Sequence, residues 1–380
     1  MSTICRRSFL ALGALSPVAA MKAAPAASLS QDRRVEFVGD GIHLSAIEYA
    51  RLLARLCEEK KVKQDSYSLA GSVEELEKQF AAVLGKERAV FMPTGTLANH
   101  IAVRALAGDR RKVLVQRESH LYNDEGVCAQ TLSGLNLVPL APDRATFTLQ
   151  EVEEQVRIAE TGRVAAPVGA ISIESPVRRK SGEVFDYAEM RKITEFAARN
   201  QIRTHLDGAR LFIASAYTGI SPAQYSSLFD TVYVSLYKYF NAGSGAILAG
   251  PRNLLENMFH TRRMFGGGLN QVWPYAAVAL HYLSGFEERF KRAVGVSEDM
   301  LRALQGHPRF RVERVPAGTN IVGLRIQTND IQAVQKKLAA AGVVIRASGT
   351  DSGKVMLTIN ETLNRRSGEE LARSFIEAAG

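Results

Sequence analysis

Several features are scarce or missing in these 380 residues, and each absence closes off a class of protein. Cysteine occurs three times, at Cys5, Cys57 and Cys128, too few for a disulfide framework. The seven histidines are scattered, with no His-x-x-x-His and no paired-cysteine spacing, so no metal site is expected. No Gly-x-Gly-x-x-Gly follows the first strand, which argues against a dinucleotide-binding protein. Beyond the N-terminus no apolar run is long enough to cross a membrane, and no anchor is expected. The net charge is +9, but the basic residues form no block, so nucleic acid is not an expected partner. No internal repeat or long low-complexity tract appears. What remains is 46% hydrophobic and 23% charged, the make-up of a globular enzyme, and its length suits two domains.

The pattern that is present is organised around His205 to Leu248. The run Ile202–Leu206 reads as a strand and ends in Asp207-Gly208-Ala209-Arg210. A second apolar strand, Thr231–Leu236, runs into Tyr237-Lys238-Tyr239 and then a return through Gly243 and Gly245. A carboxylate and an amine therefore stand at the C-terminal ends of two strands joined by a βαβ-sized connection. Open α/β sheets take their ligands at that edge. Pyridoxal phosphate (PLP) needs both groups, a lysine to hold its aldehyde as a Schiff base and a carboxylate to keep its ring nitrogen protonated. Lys238 and Asp207 are the candidates. Gly243 and Gly245 read as room for the cofactor to approach the backbone closely.

Upstream, Ala46–Lys60 carries Ile47, Ala50, Leu53, Leu56 and Cys57 as a helical stripe. Ser72-Val-Glu-Glu75 reads as a capping box, opening a helix that buries Val73, Leu76, Phe80 and Val83 and closes at Gly85. The strand Ala89–Met92 then enters Pro93-Thr-Gly-Thr96 and a helix to about Leu106. Free amides and the helix dipole make an anion site there, so Gly95 and Thr96 are assigned the cofactor phosphate. Val168–Ile173 is a buried strand by its apolar run. Trp273–Leu283 reads as a helix leading into a small domain of alternating helices and strands.

His205-Leu-Asp-Gly-Ala-Arg210, with Lys238 ending a later strand ahead of a Gly-rich return, resembles the threonine aldolase/β-eliminating lyase family. The likeness runs from about Asp65 to about Tyr282. It implies an α/β, fold-type I PLP-dependent architecture: a mostly parallel sheet in a large domain, plus a small C-terminal α/β domain. It implies that His120, five residues before Glu125, stacks on the pyridine ring and assists a proton near the substrate's β-carbon. Tyr67, in Gln64-Asp-Ser-Tyr67, would reach a neighbouring copy's active site, and the Thr261–Gln271 loop that copy's cofactor phosphate, through Arg262 or Arg263. A homodimer or homotetramer follows. Arg210 takes a place among the cofactor- and substrate-binding residues, as the surviving half of a clamp on the substrate carboxylate. Four places depart from the family pattern: Val177 replaces a histidine, Asn270 an arginine of the Gly-rich loop, Met356 or its neighbour the clamp's second arginine, and Phe37-Val-Gly-Asp40 an N-terminal Arg-Ser-Asp stretch.

The activity implied is Cα–Cβ cleavage of a small β-hydroxy-α-amino acid such as threonine, giving glycine and an aldehyde. β-Elimination, another fold-type I reaction (an aminotransferase or cysteine lyase) and non-catalytic binding of PLP or an amino acid stay open. At the N-terminus, Cys5-Arg6-Arg7-Ser8-Phe9-Leu10 precedes an apolar stretch and a small-x-small site near Ala24-Pro25-Ala26. That is the layout of a twin-arginine export signal, which makes the expected location periplasmic, or cytoplasmic where the signal does not act. Its removal takes the net charge from +9 to +6, since Arg6, Arg7 and Lys22 leave with no acid. The expected divisions are 1–27 signal, 28–66 arm and helix, 67–270 cofactor-binding domain, and 271–380 linking helix and small domain.

Overall fold

The computed structural model describes residues 33–347 and 353–380, so the expected export signal lies outside the described residues. Twelve strands occur among these residues. They are β1 (Val35–Glu36), β2 (Arg88–Met92), β3 (Lys112–Gln116), β4 (Asn136–Leu140), β5 (Val168–Glu174), β6 (Arg203–Asp207), β7 (Thr231–Ser235), β8 (Ala246–Gly250), β9 (Phe310–Arg314), β10 (Ile321–Ile326), β11 (Val343–Val344) and β12 (Lys354–Thr358). Seven of them form one sheet in the order β2-β8-β7-β6-β5-β3-β4, in which only β8 runs against its neighbours. Every residue of β5, β7 and β8 is buried, as a mostly parallel sheet covered on both faces requires. The register sets Glu174 beside Asp207, and Asp207 beside Tyr233, at the carboxyl edge. That is the edge where the expected site lies.

Two upstream helices differ from expectation in detail. In α1 (Ala46–Glu58) the buried residues are Leu52 and Leu56, while Ile47 is exposed and Cys57 faces outward. The reason is its neighbour: α1 packs on Ala277 and Val278 of the Trp273–Leu283 helix, and only Leu52 and Leu56 face them fully. Its N-cap is a complete capping box of Ser45 and Glu48. The box expected at Ser72 is absent. In α2 (Gly71–Leu84) the N-cap is Ala70, and the Ser72 hydroxyl accepts instead from the Lys63 amide at 2.9 Å. Val73, Leu76, Phe80 and Leu84 form its buried face, with Val83 turned out; both 83 and 84 keep the spacing of three or four from Phe80, and it is Leu84 that packs into the core of the large sheet. Gly85 ends the helix in the left-handed conformation, φ 63°, as glycine there does without steric cost.

The helix Trp273–Leu283 is started by a distant side chain. Asp65 Oδ1 accepts from the amides of Val272 and Trp273 at 2.9 and 2.8 Å, and its Oδ2 from Ser68. Beyond it, β9, β10 and β12 form a three-stranded antiparallel sheet backed by the helices Phe286–Gln305, Ile331–Ala340 and Gly368–Ala379. This second core also contains Val35 and Phe37 from the start of the described chain. They are carried there by β1, which pairs in parallel with β11, Val35 opposite Val343. The loop after β1 then crosses to the large sheet's carboxyl edge, where the Ile42 amide donates to Asn241 at 2.6 Å.

Candidate active site

Asp207, the last residue of β6, is 3% exposed and lies at one wall of a cavity of about 330 Å³. Its carboxylate is held from two directions: Oδ2 accepts from Asn99 Nδ2 at 2.7 Å, and Oδ1 from the Ala209 amide at 3.1 Å. Asn99 sits on α3 (Gly95–Ala107), which packs across β5 to β8. Its amide nitrogen also donates to Glu125 Oε1 at 2.8 Å, and its oxygen meets His205 Nε2 at 3.0 Å. His205 is wholly buried, and burial pushes its pKa down to about 4, so the ring is neutral. An Nε2–H donating to Asn99 leaves Nδ1 to accept from the Thr231 hydroxyl at 2.8 Å. One asparagine therefore ties two carboxylates and a neutral imidazole into a single array. None of these partners, Asn99, Glu125 or His205, was among the expected site residues.

Lys238 follows β7 by three residues and lines the same cavity. Among the described residues its Nζ has no hydrogen bond or ion pair; the recorded contact is the face of Tyr237, 5.2 Å from the ring centre. Burial, with the Arg210 charge nearby, lowers its pKa to about 8. A half-buried amine that leans toward its neutral form is a nucleophile in waiting. Arg210 is nearly enclosed and holds Asp40, with Nε and Nη2 each 2.9 Å from Asp40 Oδ2. Asn320, just before β10, donates to the other oxygen of Asp40 at 3.1 Å. Burial works against that carboxylate, but Arg210 keeps it below its ordinary range.

The helix N-terminus assigned to the phosphate borders the cavity. Thr94 caps α3, its hydroxyl accepting from the Leu97 amide at 3.1 Å, which leaves the amides of Gly95 and Thr96 without a partner among the described residues. Gly95 has no room for a side chain, since a Cβ there would stand 2.0 Å from the Tyr233 oxygen. Of the two return glycines, Gly243 borders the cavity, but Gly245 is set by protein packing: at φ +112°, its Cβ would meet Phe91 at 2.6 Å. The close approach expected at Gly245 is to Phe91.

His120 opens a short helix at the cavity wall, and its Nδ1 is 3.0 Å from Glu125 Oε1. That contact, outweighing burial, raises the His120 pKa, and it fixes Nδ1 as the protonated nitrogen in the neutral ring. Burial raises the Glu125 pKa in turn, against the pull of His120 and Asn99. Burial, and the Asp207 charge beside it, push the pKa of the buried Glu174 up. Its two oxygens accept from the backbone amides of His120 and Arg178, at 2.6 and 2.8 Å. Val177, in the place of the family histidine, is fully buried and does not reach the cavity.

The structure thus brings together Asp207, Lys238, His120, Arg210, Gly95 and Thr96 around one cavity, and leaves Tyr67 outside it. Tyr67 is 39% exposed, its ring beneath the Arg263 guanidinium at 4.9 Å and its amide bonded to Asn270. Arg262 does not face outward. It is 1% exposed and donates to the carbonyls of Phe91 and Tyr67, which leaves Arg263 as the outward arginine of that loop. His120, Glu125 and Asp207 bring ligand-type atoms within 4.8 Å of one another, but Asn99 already bridges the two carboxylates.

A free, half-buried amine, a hydrogen-bonded carboxylate and an unpartnered helix N-terminus around one cavity fit PLP, whose aldehyde, ring nitrogen and phosphate call for those three groups. The model of the beta-eliminating lyase family matches residues 52–327. The chain belongs to that family. It is 32% identical over 257 residues, 67% of each chain, to a low-specificity L-threonine aldolase of Candida albicans. It is 35% identical over 204 residues, 53% of this chain and 52% of the other, to the alanine racemase TOXG of Cochliobolus carbonum. Among solved structures, a threonine aldolase from Leishmania major superposes with a TM-score of 0.69 at 16% identity, covering 90% of this lyase and 98% of that chain. The α/β fold expected from the sequence is the fold of that structure.

Proposed function

We propose that the protein is a PLP-dependent lyase that cleaves the Cα–Cβ bond of a small β-hydroxy-α-amino acid such as threonine, giving glycine and an aldehyde. The observation that carries this is the half-buried Lys238 amine, unpaired among the described residues, sharing one cavity with Asp207. Lys238 would hold the cofactor's aldehyde carbon, Asp207 its protonated ring nitrogen, and the Gly95 and Thr96 amides its phosphate. When bound, PLP supplies the electron sink that stabilises negative charge at Cα. The chain's residues do the rest. Asn99 and the Ala209 amide hold the Asp207 carboxylate in place by hydrogen bonds to its two oxygens. Glu125 holds the Nδ1 proton of His120, which leaves Nε2 free to take the proton from the substrate's β-hydroxyl. Loss of that proton is what turns the hydroxyl-bearing carbon into a departing aldehyde. The family relationship and the named threonine aldolase relative support this reading.

A second reading, racemisation of a small amino acid, draws on the alanine racemase relative. The two separate by product. Purified protein supplied with PLP is given L-threonine or L-alanine, and glycine, aldehyde, keto acid and enantiomer are measured. Glycine with acetaldehyde from threonine, abolished by Lys238→Ala, is the expected result. D-Alanine without any aldehyde supports the racemase, and keto acid with ammonia an elimination. Borohydride reduction followed by peptide mapping should place the cofactor on Lys238; a label on another lysine would sink the proposal.

A further inference from the structure

An amino-acid substrate brings a carboxylate into this cavity, and the cations there are not equally free to meet it. Four line it: His120, Arg178, Arg210 and Lys238. Arg210 turns its Nε and Nη2 to Asp40, and Asp40 is further held by Asn320, so that pair is neutralised in place. His120 is engaged by Glu125, and Lys238 is the amine of the proposed chemistry. Arg179, next along the chain, is spent on Asp124 through two contacts of 2.6 and 3.1 Å. The Arg178 side chain, by contrast, has no ion pair or hydrogen bond among the described residues.

The residue is exposed, but its backbone is anchored. Glu174, 4% exposed, accepts from the Arg178 amide with Oε1 and from the His120 amide with Oε2. A single buried carboxylate therefore sets the guanidinium-bearing residue and the imidazole-bearing residue on the same stretch of cavity wall. A planar guanidinium is the side chain best matched to a carboxylate, through two parallel N–H donors. We propose that Arg178 is the residue that receives the carboxylate of the amino-acid substrate, with Glu174 as the positioning residue that seats it. This rests on the PLP reading above and deepens it.

The test uses the apoprotein and two stable conjugates, N-phosphopyridoxyl-glycine and N-phosphopyridoxyl-methylamine, which differ only in the carboxylate. Affinities come from calorimetry, with no turnover required. In the wild type the glycine conjugate should bind about 10- to 100-fold more tightly than the methylamine conjugate, as a charged paired contact allows. That advantage should fall to less than about 3-fold in Arg178→Gln and return in part in Arg178→Lys. The methylamine conjugate should bind all three proteins alike. A full advantage surviving in Arg178→Gln, or none in the wild type, overturns the assignment. Failure of both conjugates to bind the wild type would instead bring down the cofactor reading, and this inference with it.

Discussion

Replacing Asn99, which holds Asp207 but is not itself proposed to contact the cofactor, with alanine should destabilise the protein by about 4 kcal/mol. The side chain is 1% exposed and makes three contacts: to Glu125 at 2.8 Å, Asp207 at 2.7 Å and His205 at 3.0 Å. Hydrogen bonds to charged partners are worth roughly 1.5–3 kcal/mol each and neutral ones roughly 1, so the three sum to about 4–7 kcal/mol. The lower end applies here. Asp207 keeps the Ala209 amide and Glu125 keeps His120, so neither carboxylate is stranded. Urea unfolding of the apoprotein, wild type against Asn99→Ala, reads this directly. Asn99→Asp sharpens the test, because it preserves the shape but replaces the donor with a third buried anion. That variant should be less stable than the alanine variant at pH 8 and recover toward it at pH 5, where protonation restores a donor. A loss below about 1 kcal/mol for Asn99→Ala, or equal stability of both variants at pH 8, would refute the account.

Capture of PLP by the apoprotein needs the neutral form of Lys238, so the rate should rise with pH and level off above about 8. The sign follows from burial lowering a cation's pKa; stopped-flow absorbance measures it, and a midpoint near the ordinary lysine value of 10.5 would contradict it. Gly95→Ala should weaken PLP binding at least about tenfold, because the new Cβ meets Tyr233 and displaces the amides proposed to hold the phosphate. Equilibrium dialysis checks it, and unchanged affinity would move the phosphate elsewhere.

The parts of the site that could be read in the sequence were those announced by local chemistry. Asp207 and Lys238 each end an apolar run, and Gly95 and Thr96 open a helix straight after one. The helix Trp273–Leu283 matched its pattern to both ends. What stayed hidden depends on contacts between distant segments. Asn99 lies in a helix that is buried almost all round, where a lone amide carries no periodic signal. His205 stands two residues before Asp207 on the same strand, so both project from one face of the sheet, a cue the motif itself offered. The α1 stripe misled because periodicity names a face but not its neighbour, and Ser72 because a cap motif cannot show that Lys63 claims the hydroxyl. The family pattern offers Arg262 or Arg263 alike, and no pattern shows which of two adjacent arginines turns inward.

The short β1 strand has a consequence for how the molecule is assembled. Its partner β11 lies in the C-terminal half, and the Glu36 amide donates to Thr362, 326 positions further on. As the chain leaves the ribosome, this strand has nowhere to dock until nearly all the rest has been made. Asp40, just beyond that strand, reaches Arg210 only from the docked position, so the cavity's charge balance is completed by one of the last folding events. Half-made chains would therefore carry a formed sheet with an uncompensated arginine at its edge, and the finished protein would gain its working site only on closing this circle.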